Sequence, residues 1–166
     1  MNMTNLSKTQ KLTFSAIFIA LYIVCLYFTQ SFSFGAYQIR IATSLYALSY
    51  LFPFLVLPLG LANLLGNLLC GGLGPLDTIG GLLVGIVVCY VHVLIKKGNL
   101  SKWLIALTIT FIPGLMVPIW LSYLLKVPYA ALAINLCIGQ VLPGIVGVFL
   151  VRALQPVIHT KPKEVN

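Results

Sequence analysis

Apolar residues run along this chain in blocks whose length suits a bilayer better than a soluble core. A helix needs about 20 apolar residues to cross the hydrocarbon layer. Blocks of that kind predict helices over 12–30, 76–95, 103–125 and 129–154. Between 41 and 70 the pattern is interrupted: one helix is expected over 41–54 and another over 59–70, joined by the Phe-Pro-Phe-Leu-Val-Leu-Pro segment at 52–58. Proline lacks a donor and clashes with the preceding turn, so Pro53 and Pro58 argue for a break there. Interrupted helices are tolerated where the backbone lines a cavity rather than lipid; an ordinary kinked hairpin explains the pattern equally well. A polar-aromatic stretch at 31–40, a glycine-rich turn at 71–75 and a hydrophilic loop at 96–102 separate the blocks. The expectation is an all-α polytopic membrane protein: a short segment at 1–11, a bundle of six transmembrane helices over 12–154, and a polar tail at 155–166 expected to be disordered. The first block is too long for a signal-peptide core and lacks a small-residue cleavage site after it, so it reads as a mature helix.

Composition strengthens this picture. Charged residues make up 7% of the chain and the mean hydropathy is +1.07, whereas a soluble domain carries roughly 25% charged residues. So few charges cannot cover a water-facing surface, and lipid must be the solvent. The net charge of +8 does not mark a nucleic-acid binder, because the basic residues sit at the ends of apolar blocks without interleaved aromatics. Six spans put Lys8, Lys11, Lys96, Lys97, Lys102, Arg152, Lys161 and Lys163 on one side and leave Arg40 and Lys126 on the other. Positive-inside bias makes the lysine-rich side, with both termini, the cytoplasm. Five or seven spans would split these lysines.

Much catalytic chemistry is missing. There is no phosphate loop and no His-Glu-x-x-His pattern. Cys25, Cys70, Cys89 and Cys137 lie in apolar blocks with no Cys-x-x-Cys pair, which implies neither a disulfide framework nor a zinc site. His92 stands alone and His159 lies in the tail; the acids are Asp77 and Glu164. A paired-carboxylate mechanism is excluded, and a proton-coupled antiporter would want a carboxylate deeper in the membrane than Asp77. The expectation is a non-enzyme without cofactor or metal.

The polar groups that remain point to capture of a small solute. Asn63, Asn67, Asn135 and Gln140 fall inside apolar blocks, where such groups turn toward the bundle interior. They serve either as interhelical ties or, with Asp77 and the aromatics Tyr37, Tyr46, Tyr50, Trp120 and Tyr123, as the fixing groups of a mostly apolar pocket. Asp77 reads equally as the N-cap of its helix and as a carboxylate receiving parallel N–H donors from a guanine-like edge. Arg40, behind Tyr37 and Gln38, is an interface anchor or a fixed cation of the pocket. Ala16 and Ala20 lie four apart on one helix face, where small residues let another helix approach.

Three segments carry a family resemblance: Ser-Ala-Ile-Phe-Ile-Ala-Leu-Tyr-Ile-Val at 15–24, the stretch from Tyr37 through Gln38 and Arg40 to Pro53, and the run from Leu61 through Asn63, Asn67 and the Gly-Gly-Leu-Gly-Pro-Leu-Asp turn to Gly85. They resemble the queuosine-precursor transporter family among the substrate-binding S components of energy-coupling-factor transporters. The resemblance implies a subunit in the prokaryotic cell membrane. It would capture its solute from outside, dock through Ala16 and Ala20 onto a membrane scaffold subunit, and be driven by two separate cytoplasmic ATPases. It also implies a solute site that includes Thr43, beside Arg40, and Gln140. Where the family commonly has Ser-Glu after the arginine, this chain has Ala42 and Thr43; where it has Gly-Glu in the last helix, this chain has Gly139 and Gln140. Both changes remove anions that would face a cationic aminomethyl group, and an unpaired buried ammonium is very costly. A less cationic or differently substituted ligand is therefore expected, such as queuine, a neutral deazapurine or another flat heterocycle. The runner-up readings are a self-contained secondary transporter or facilitator, which should show repeat symmetry or a coupling-ion site, and a structural membrane protein without a ligand. Asp77→Asn is expected to weaken solute binding without abolishing membrane insertion; unchanged affinity in a binding titration would return Asp77 to a capping role.

Overall fold

The first helix opens on a local signal that hydropathy does not register. The computed structural model describes residues 6–35 and 37–159, and helix α1 spans Lys8–Phe28. The Ser7 hydroxyl accepts from the Gln10 amide while the Gln10 side chain accepts from the Ser7 amide. This reciprocal capping box satisfies two orphan donors and starts the helix four residues before the apolar block at 12. Thr29 ends it, one residue short of the expected end at 30, and the single turn α2, Gln30–Ser33, leads into the polar-aromatic stretch.

The region from 41 to 70 differs from expectation in a way that matters. Helix α3 is short, Ile41–Leu51, and a 3₁₀ helix over Ile41–Ala47. Phe52 breaks it with an extended backbone, φ −125° and ψ 85°, because the residue before a proline is pushed out of the α region. Helix α4, Pro53–Cys70, begins at once with a 3₁₀ turn over Pro53–Leu55. Pro58 was expected to help break the chain, yet it lies within the helix. It sits at the third residue of the regular stretch Val56–Cys70, where backbone N–H groups have no intrahelical acceptor and a missing donor costs nothing.

Three long helices complete the described chain: α5 Pro75–Lys97, α6 Trp103–Leu125 and α7 Tyr129–His159. The α6 bounds match the hydropathy pattern. Helix α7 continues five residues past 154, so 155–159 are helical; the rest of the expected tail, with Glu164, Lys161 and Lys163, lies outside the described residues. All regular elements among the described residues are helices, and α1, α4, α5, α6 and α7 are each long and apolar enough to cross a membrane. At about 2.0 Å per residue in 3₁₀ form and 1.5 Å in α form, α3 spans about 20 Å, less than the roughly 30 Å hydrocarbon core.

Packing orders the helices as a closed ring: α1 lies on α4, α4 on α5, α5 on α6, α6 on α7, α7 on α3, and α3 back on α1. Helix α3 also leans inward against α5, which puts its short 3₁₀ segment in the middle of the bundle. The α4–α5 seam is a close backbone approach. A Cβ on Gly85 would stand 2.9 Å from the Gly60 Cα, and one on Gly60 would stand 2.6 Å from Ile86 Cγ1. Helices in lipid gain from such contact because apolar side chains are already solvated by the acyl chains. Gly85→Val should therefore lower thermal stability in detergent by about 1–3 kcal/mol through overpacking; an unchanged melting curve would mean the seam is not as close as described.

Candidate functional site

A 3₁₀ helix has three residues per turn, so side chains at i and i+3 eclipse one another. In α3 this geometry aligns Arg40, at its entry, with Thr43 and Tyr46, and all three line one small inner chamber with Asn63, Gln38 and Gln140. An α-helical α3 would fan the three apart by 3.6-residue geometry. A larger outer chamber of about 200 Å³ lies beside it, walled by Phe34, Leu73, Asp77, Leu132 and Leu136 among others. Gln38 and Leu136 line both chambers, so the two adjoin. The outer chamber opens where α4 and α6 finish and α5 and α7 begin.

The polar groups are held by a chain of contacts that crosses the bundle. The Arg40 guanidinium donates through Nη2 to Asn67 Oδ1 and lies 5.0 Å from the centre of the Phe34 ring. Asn67 Nδ2 donates to the Asp77 carbonyl at 3.1 Å. The Asp77 carboxylate then accepts from Trp120 Nε1 at 2.9 Å and from the Leu73 amide at 3.1 Å. Four residues apart on α4, Asn63 and Asn67 share the face toward α5, and Asn63 Nδ2 donates to the Gly81 carbonyl at 2.8 Å. Arg40, Asn63, Asn67 and Asp77 are all buried.

A second cluster ties α3 to α7. The Thr43 hydroxyl lies 2.8 Å from Gln140 Oε1 and 2.6 Å from the Arg40 carbonyl, and Gln140 Nε2 donates to the Gln38 carbonyl at 3.0 Å. Gln38 adopts φ 45°, a left-handed conformation uncommon outside glycine. Gly139 makes this loop possible, because a Cβ there would collide with the Tyr37 carbonyl. Below the inner chamber Tyr46 stacks on Tyr22 with centroids 5.8 Å apart, and their hydroxyls meet at 3.2 Å.

A profile of the QueT transporter family matches residues 12–156. The chain belongs to the QueT transporter family. No curated protein and no solved structure matches it. As a member of that family with five helices able to cross a membrane among its described residues, it is a multi-pass membrane protein rather than an enzyme by family.

The QueT chambers gather most of the residues singled out from sequence, though not all. Arg40, Gln38, Thr43, Asn63 and Gln140 line the inner chamber and Asp77 the outer one. Asn67 and Trp120 act one step behind, holding Arg40 and Asp77. Asp77 is not the N-cap of its helix: Gly74 is, and Asp77 occupies the first turn and reaches back to the Leu73 amide. That placement sets its charge against the helix dipole. Asn135 is half-buried on α7 and is not among the residues lining either chamber. Tyr37 is exposed and contributes its carbonyl to the loop contact with Gly139. Tyr123 is 78% exposed, and Tyr50 lies against Lys96 at the opposite end of the bundle; neither joins the site.

Phe34 and Gly80 carry no mark in the sequence that would single them out. Phe34 has no polar group and takes its role from the cation above it. Gly80 sits one turn after Asp77, and a Cβ there would stand 2.6 Å from the Trp120 ring, so its bareness lets the indole reach the carboxylate. A signal for the inner chamber was present, in the repeated three-residue spacing of Arg40, Thr43 and Tyr46, which keeps one face in a 3₁₀ helix and drifts off it in an α-helix. Gly80→Val, placed in a Trp103→Phe background so that Trp120 is the sole indole, should displace the ring and shift its emission to the red. Emission identical to the background would show that the indole does not lie on Gly80.

Proposed function

We propose that this chain is the solute-capturing S component of an energy-coupling-factor importer in the cell membrane of a prokaryote, and that its solute is a queuosine precursor or a related flat, deazapurine-like ring. In this reading the chain crosses the membrane six times with both termini in the cytoplasm, α3 with its flanking loop making the short second crossing. The observation that carries the reading is the pair of adjoining chambers, polar within and apolar around, at the lysine-poor end of a QueT-family bundle. That end bears Arg40 and Lys126, whereas Lys96, Lys97 and Lys102 cluster at the other; positive-inside bias then makes the chambers face outward. An outer chamber of about 200 Å³ is below the usual 300–1,000 Å³ of drug-sized sites and suits one fused ring system.

The two family positions that lack an acid here, Thr43 and Gln140, are bonded to each other. A neutral pair that satisfies itself favours a solute without a strong positive charge at that wall, since an ammonium placed there would lack a counter-ion. Energy would come from two separate ATPase subunits through a membrane scaffold subunit. The proposed dock is α1. Only 11% of its span is buried, against 39% or more for each other long helix, and Ala16 and Ala20 both lie on its surface. Small residues on one open helix face let a partner helix come close.

The test is co-expression with a scaffold subunit and its ATPases. The expected result is a complex that imports a labelled queuosine precursor only with ATP. Ala16→Trp should cut import at least about tenfold by blocking close helix approach, while solute binding to the isolated subunit stays the same. Import by the chain alone, without ATPases, would overturn the coupling.

A further inference from the structure

Two buried polar atoms, on residues that line the inner chamber, have no partner among the described residues: Arg40 Nε and Asn63 Oδ1. Both side chains are more than nine-tenths buried, at 7% and 2% exposed, and both line that chamber. One is an obligate donor and the other an obligate acceptor. Leaving either bare in a low-dielectric bundle carries the full desolvation penalty. Their neighbours do not relieve them: Arg40 spends Nη2 on Asn67, and Asn63 spends Nδ2 on Gly81. Asp77, whose carboxylate has the acceptor capacity to read a ring edge, already receives Trp120 and Leu73.

The space around these two atoms is narrow. The inner chamber admits about 10 Å³, near the minimum for a single water, whereas the outer chamber beside it admits about 200 Å³. A fused ring would therefore fit only the outer chamber, with an edge directed inward past Gln38 and Leu136, which line both.

We infer that Arg40 Nε and Asn63 Oδ1 form a donor–acceptor pair that reads a lactam edge, a ring carbonyl next to a ring N–H, and so selects oxo-heterocycles over amino-heterocycles. This rests on the proposed capture of a flat heterocycle and adds which atoms choose it. The arginine N–H donates to the ring oxygen, and the asparagine oxygen accepts the ring N–H. An amino-substituted ring reverses both polarities: it brings a donor to the arginine and a bare ring nitrogen to the asparagine oxygen. Both contacts then fail, and each unsatisfied buried group carries its own penalty. A site built to hydrogen-bond one pattern rejects its reverse far better than an apolar pocket rejects a size change.

The test uses the purified chain in nanodiscs and three probes measured by titration calorimetry: 7-deazaguanine, 7-deazaadenine, and 7-deazaguanine methylated at N1. The oxo ring should bind at least about a hundredfold tighter than the amino ring, and N1 methylation should cost about tenfold or more. In Asn63→Leu, verified as folded by size exclusion and circular dichroism, the methylated and parent oxo rings should bind alike. The ligand series needs no variant, so it decides the question even where Asn63→Leu misfolds. Equal affinity for oxo and amino rings would overturn the pair, as expected if one water bridges the two atoms, while leaving heterocycle capture standing. Failure of all three probes to bind a monodisperse protein would overturn the heterocycle reading and this inference with it.

Discussion

A guanidinium held inside a lipid-bounded bundle is the constraint around which the rest of this molecule is arranged. Desolvating the Arg40 guanidinium would be very costly unless partners replace water. Its partners here are an amide oxygen from α4 and an aromatic face from the loop before α3. The amide is itself held by the Asp77 backbone on α5, and Asp77 by Trp120 on α6. One arginine thus commits four helices to a shared arrangement. Each bond in lipid is worth only about 1 kcal/mol, so geometry matters more than any single energy: a bonded chain of polar groups admits one register of the helices and penalises others.

The same logic explains which parts of the structure could be read from residues. Long apolar blocks revealed α5, α6 and the start of α7, because hydrocarbon thickness sets a length that composition reports directly. The Ser7–Gln10 box escaped a hydropathy reading because capping is a matter of a few polar atoms. Pro58 misled because the cost of proline depends on where the helix starts, and that start was fixed by Phe52 and Pro53, not by Pro58 itself. The site was partly legible. Buried amides, Asp77 and Arg40 stood out as polar residues in apolar blocks. Their pairing did not, since it depends on α3 being 3₁₀ over Ile41–Ala47 and on glycines whose role is to be absent from a contact. Gly80 and Gly139 work by lacking a Cβ, and nothing in composition distinguishes them from the other glycines of this chain.

The polar ties and the chamber walls are the same atoms, which bears on the alternative of a purely structural membrane protein. A bundle that needed only ties would satisfy every buried group internally. Here the side chains of Thr43, Gln140 and Asn67 and the Gln38 carbonyl have partners, and beside them Arg40 Nε and Asn63 Oδ1 have none among the described residues. Incomplete satisfaction at one place in a network otherwise closed is the pattern expected where an outside molecule completes it.

The opposite end of α3 is closed by a second buried cluster. Tyr46 belongs to the inner chamber by its side chain, and by its carbonyl to a second buried cluster in which His92 Nδ1 lies at 3.0 Å and Ser49 Oγ at 2.6 Å. His92 Nε2 meets Thr108 Oγ1 of α6 at 2.8 Å, and the Tyr22–Tyr46 stack closes the chamber floor. Tyr22, Tyr46, Ser49 and His92 are wholly buried. The inner chamber is therefore separated from the far side by a packed, hydrogen-bonded floor built on the same 3₁₀ segment that positions Arg40 and Thr43. Opening that floor with the bundle fixed in place would pull Tyr46 away from the inner chamber it lines. On the proposed reading, capture and release are coupled through one short helix whose backbone bonding is weaker than that of an α-helix, and work supplied from outside the bundle is the natural source for breaking it.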